Sequence, residues 1–117
     1  MKLLERIAEK LISLPKEICH TICKDNKHTL YMITIVREKN KKTKSFEFTV
    51  DYEIGHPKSK GEPLSCSEKM SPESFDSLEA FTKNLRALKG LNNLPEDSIS
   101  ALWEQCESKL PRNRESD

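Results

Sequence analysis

The nine residues Thr29–Arg37, TLYMITIVR, decide how this chain folds. Read as a strand, they place Leu30, Met32 and Val36 on one face and Tyr31, Ile33 and Ile35 on the other. A strand that is apolar on both faces belongs in the middle of its sheet, where both faces are covered.

The next run, Ser45–Ile54 (SFEFTVDYEI), alternates without a fault. Phe46, Phe48, Val50, Tyr52 and Ile54 point inward, and Glu47, Thr49, Asp51 and Glu53 point outward. That is an antiparallel strand with one wet face. The connector EKNKKTK at 38–44 makes the two runs a hairpin with four lysines at its tip. Upstream, residues 17–24 hold the stretch ICHTIC (Ile18–Cys23). As a strand it separates Ile18, His20 and Ile22 from Cys19, Thr21 and Cys23. As a short helix starting at Pro15 it gathers Ile18, Cys19, Ile22 and Cys23 on one face. The turn-like KDNK at 24–27 favours the strand.

Residues 2–14 read as an amphipathic helix with the stripe Leu4, Ile7, Ala8, Leu11 and Leu14, ended by Pro15. Residues 55–71 form a long Gly/Pro/Ser/Lys loop, with room for a short edge strand near Leu64–Cys66. Ser71-Pro72-Glu73 opens a helix whose stripe is Phe75, Leu78, Phe81, Leu85 and Leu88, stopped by Gly90. Pro95-Glu96-Asp97 opens another, with the stripe Ile99, Leu102, Trp103, Cys106 and Leu110. The expected fold is α+β: a small antiparallel sheet of three to four strands, packed by an N-terminal helix and two C-terminal helices. One domain is expected over 1–111, with a disordered tail at 112–117. In this element order the chain resembles RWD-type and related adaptor domains, which also carry helices around a small antiparallel sheet. The proline-bearing signature after the last strand is absent.

The length of 117 residues suits one domain with a modest core. The net charge of +1 hides a split: residues 20–60 carry a net of +4 and residues 61–117 a net of −4. No apolar run approaches the ~20 residues that span a membrane. Glu5, Arg6, Glu9 and Lys10 interrupt the apolar positions of the first helix, which no secretory leader core tolerates. An intracellular chain, cytoplasmic or nuclear, is therefore expected, with its four cysteines as free thiols.

The cysteines and histidines do not form a ligand set in the sequence. On a strand, Cys19 and Cys23 are about 13 Å apart at ~3.3 Å per residue, too far to share one zinc ion. No CxxC occurs, and Cys66, Cys106, His28 and His56 are scattered. Gly55, Gly61 and Gly90 are the only glycines, and none belongs to a phosphate-cradling motif. No nucleophile elbow is recognisable. The expectation is a chain with no catalytic residues, metal or cofactor.

What remains is binding. The leading expectation is a non-catalytic protein–protein interaction module: an adaptor, an assembly factor or an inhibitor of the immunity type. Its contact would use Leu102, Trp103 and Glu104 of the last helix, where adjacent Leu102 and Trp103 widen the apolar stripe. The partner would be another protein, with a homodimer left open and no membrane. The alternative is a nucleic-acid-binding domain. It would contact phosphates through Arg37, Lys39, Lys41, Lys42 and Lys44 of the basic hairpin, with Lys58 and Lys60 of the next loop. No aromatic is interleaved with those lysines for base stacking.

Overall fold

The computed structural model describes residues 16–56 and 61–109. The helix expected over 2–14, the tail at 112–117, and Lys58, Lys60 and Leu110 lie outside the described residues. Four strands come first: β1 (Lys16–Lys24), β2 (Leu30–Lys39), β3 (Phe46–Gly55) and β4 (Leu64–Met70). A 3-10 turn, Pro72–Phe75, and two helices follow: α1 (Leu78–Arg86) and α2 (Glu96–Lys109). The sheet is an antiparallel meander in the order β1-β2-β3-β4, so β2 is central as expected.

Two turns set the register. Asp25 closes the first: its Oδ1 accepts the N–H groups of Lys27 and Thr29 at 2.8 and 3.0 Å, and its Oδ2 accepts the Tyr31 hydroxyl at 2.9 Å. This Asx turn makes residues 16–24 a strand rather than a helix. Burial alone would raise the Asp25 carboxyl, but those three donors and the charge of Lys27 hold it below its ordinary value. Asn40 closes the second turn, its Oδ1 accepting the N–H groups of Lys42 and Thr43.

The core lies between one face of the sheet and the helices. Tyr31, Ile33 and Ile35 of β2 and Phe48, Val50 and Tyr52 of β3 are buried there with Phe81, Leu85, Ile99 and Leu102. An aromatic chain runs through it: Phe48 to Phe75 at 4.2 Å, Phe75 to Phe81 at 5.6 Å, and Phe81 to Trp103 at 5.3 Å. In β1 the simple alternation fails. A register shift between Glu17 and Cys19 allows two successive residues, Ile18 and Cys19, both to be fully buried. Ile18 therefore does not share the solvent face of His20 and Ile22.

Three further expectations are corrected. The helix opened at Ser71 does not run to Leu88. Ser71 makes no side-chain cap bond, and Ser77, in extended backbone, captures the Ala80 N–H on its Oγ at 3.1 Å and starts a new helix. The break takes Leu78 off the buried stripe, and it is 42% exposed. Phe46, expected inside, sits at the sheet margin with the Arg37 guanidinium 4.5 Å above its ring. The second face of β2 is not covered among the described residues, since Leu30 and Met32 are exposed.

β1 is an edge strand, and α2 lies against it. Gln105 of α2 bonds the main chain of His20 twice: its Oε1 accepts the His20 N–H at 3.0 Å and its Nε2 donates to the His20 carbonyl at 2.9 Å. One carboxamide thus does for this edge what a neighbouring strand would do.

Candidate functional site

The outer face of the sheet, opposite the helices, is divided along its length. On β3 and β4 it is polar and paired in register. Ser65 donates to Glu53 at 3.0 Å, Ser67 to Asp51 at 2.7 Å, and Lys69 to Thr49 at 3.1 Å. These are the cross-strand partners that the β3–β4 register places opposite each other. Glu47 continues the acidic row and accepts the Asn40 amide at 3.0 Å.

On β1 and β2 the same face carries an apolar strip, with Lys24 opposite Leu30 at its end. Ile22 stands opposite Met32 in the register, with Leu30 two residues along. Ile22 is 63% exposed and Met32 43% exposed. At this end of the sheet a groove of about 580 Å³ opens, lined by Ile22, Leu30, Met32, Glu53, Pro63 and Leu64 among others. The residue opposite Met32 on β3 is Glu53, so the apolar strip and the acidic row are direct neighbours. His20 borders the strip and bonds Thr34 through Nδ1 and Oγ1 at 2.8 Å.

No known family, curated protein or solved structure matches this chain.

The residues expected at the contact are placed differently from one another. Leu102 is enclosed by the core, so it presents no surface. Trp103 is half-buried against Phe81, and Glu104 is exposed. They share a stretch of sequence but not a surface, because successive helix positions point about 100° apart.

The basic hairpin is also dispersed. Lys41, Lys42 and Lys44 are exposed at the tip, Lys39 is half-buried, and Arg37 is held over Phe46. β3 leads the chain away from that tip to His56, about 30 Å distant at ~3.3 Å per residue. His56, the last described residue before Lys58 and Lys60, thus lies at the opposite end of the sheet. Among the described residues, no three His, Cys, Asp or Glu side chains gather as a metal site, and no helix is long and apolar enough to cross a membrane.

The outer strip of Ile22, Leu30 and Met32 escaped the sequence reading. Its signal is the second apolar face of Thr29–Arg37, which a covered central strand would carry equally.

Proposed function

We propose that this chain is an intracellular, non-catalytic protein-binding module that receives an apolar, basic-flanked segment of another protein on the outer face of its sheet. The observation that carries the reading is the opposed pair Ile22 and Met32, both exposed beside Glu53, with Asp51 next along β3. Exposed apolar side chains gathered over a groove, with Glu53 beside Met32 on one margin and Lys24 opposite Leu30 on the other, fit a segment of complementary chemistry. An amphipathic helix with a leucine stripe flanked by lysines has that chemistry. An adaptor, an assembly factor and an inhibitor would all use such a face.

The test is titration with a synthetic leucine–lysine amphipathic peptide, followed by amide NMR. Shifts centred on Ile22, Met32 and Leu64, abolished by Met32→Glu with the fold retained, are expected. A leucine–glutamate peptide of the same pattern should bind far more weakly. Equal binding of the two peptides, or shifts confined to Trp103 and Glu104, would overturn the proposed face. A dimer of the parent chain that Met32→Glu splits would make a second copy the occupant.

The second reading is nucleic-acid binding, supported by the exposure of Lys41, Lys42 and Lys44 at the β2–β3 tip. The acidic outer face opposes it, since it would repel a phosphate backbone lying across the sheet.

A further inference from the structure

Cys19 and Cys106 are 87 positions apart in sequence, yet their Sγ atoms are 3.1 Å apart in the structure. Both side chains are fully buried. The pairing is not set by the sulfurs alone. The residue after Cys19 is His20, and the residue before Cys106 is Gln105. Those two neighbours are clamped by the paired amide bonds at 3.0 and 2.9 Å. The strand and helix backbones on either side of the sulfurs are therefore held together by separate interactions. A disulfide needs its sulfurs at about 2.05 Å, so closure asks for a movement of about 1 Å.

In place of the free thiols expected for an intracellular chain, we propose that Cys19 and Cys106 form a disulfide by exchange with a low-molecular-weight disulfide, tying β1 to α2. One cysteine thiolate attacks a sulfur of the small disulfide. A mixed disulfide forms and one small thiolate leaves, taking up the proton the cysteine lost. The second cysteine then gives up its proton and attacks the protein-bound sulfur. The Cys19–Cys106 bond forms and a second small thiol is released. Two protein thiols are oxidised and one small disulfide is reduced to two thiols.

The other cysteines do not compete in the folded chain. Cys23 is four residues along the same strand, about 13 Å away at ~3.3 Å per residue. Cys66 is on β4, three strand spacings from β1, or about 14 Å at ~4.8 Å each. In the closed fold, the hydrogen bond to Cys106 and burial both push the Cys19 thiol far above its ordinary range. A protonated buried thiol is a poor nucleophile, so exchange proceeds while the chain folds or when α2 lifts from β1.

The experiment refolds the full chain from urea with oxidised and reduced glutathione, quenches with acid, alkylates and weighs the product. Starting from four cysteines, two alkylated thiols are expected, with a Cys19–Cys106 linked peptide on digestion. The Cys23→Ser/Cys66→Ser variant retains only the proposed pair, and its alkylated thiols should fall from two to none. Cys106→Ser should abolish the linked peptide. Four alkylated thiols in the refolded parent, or linkage mainly through Cys23 or Cys66, would overturn the pair. The double variant decides the question even where Cys106→Ser fails to fold.

Discussion

The carboxamide of Gln105 bonds the main chain of His20 in both directions, as donor and as acceptor, across 85 positions of sequence. A helix side chain thereby completes a strand edge. Gln105→Ala leaves one N–H and one C=O of β1 without these partners and should cost about 1–3 kcal/mol. Gln105→Glu keeps the acceptor, loses the donor and turns a negative charge toward a carbonyl, so it should destabilise at least as much at neutral pH. Urea midpoints at an unchanged slope would measure both.

The two faces of the sheet should respond differently to the same substitution. Ile33→Ala empties a fully buried site and should cost about 2–5 kcal/mol. Ile22→Ala removes the same atoms from an exposed site and should stay within about 0.5 kcal/mol. Equal losses in thermal or chemical unfolding would mean that the outer face is covered as well.

Gly90 has φ +82°, and a Cβ built there would lie 2.7 Å from Ile54 Cδ1. Gly90→Ala should cost about 1–3 kcal/mol, combining left-handed strain with that overlap. Ile54→Val removes Cδ1. In that background the loss at position 90 should shrink without vanishing, because the φ strain remains. A double-mutant cycle separates the two contributions.

Alkaline titration should find no tyrosine ionising near its ordinary value in the native state. Burial, with the bond and charge of Asp25, pushes the Tyr31 hydroxyl up to about 12. Burial and the Cys66 thiol push Tyr52 up as well. The fold therefore favours the protonated phenols. Their stabilisation is complete below the unfolded value of about 10 and is lost as pH rises from there through the folded values. Tyrosinate absorbance in buffer and in urea shows the difference. Asp25→Asn should bring Tyr31 part of the way down.

The hairpin lysines separate the two binding readings. Lys39, Lys41, Lys42 and Lys44 changed together to Gln should leave the fold intact, since all four side chains lie at the β2–β3 turn or its margins. For a nucleic-acid binder, each lost phosphate contact lowers the salt slope of log K by about 0.9 on duplex DNA. For the protein-binding module, duplex binding is weak in the parent and the leucine–lysine peptide binds the variant unchanged. Filter binding and peptide titration across a salt series would show which holds.

The elements that the sequence revealed were those built from local repetition. The alternation of Phe48, Val50 and Tyr52 against Glu47, Thr49 and Asp51 could be read directly, because a strand with one wet face writes its orientation into every residue. Asp25 in a polar turn resolved the ambiguous run before it. The split at Ser77 was harder, because Phe75, Leu78 and Phe81 keep a helical spacing whether or not the backbone joins them. Ile22 and Met32 were recognised as apolar but not as exposed, since hydropathy does not report what covers a face. The His20–Gln105 clamp and the Cys19–Cys106 contact left no local trace. Each depends on where a helix more than 80 residues later comes to rest.

The position of that helix also sets a schedule. A ribosome adding ~5–20 residues per second reaches Gln105 about 4–17 s after His20. The meander β1 to β4 joins neighbours in sequence, so its strands can pair as they emerge. Among the described residues, the edge at His20 has no such early partner. Until α2 emerges, the main chain there is open to a strand from a second nascent chain or to a chaperone. Slowed translation between β4 and α2 would lengthen that window, and misassembly of newly made chains would rise with no change in the finished protein's stability.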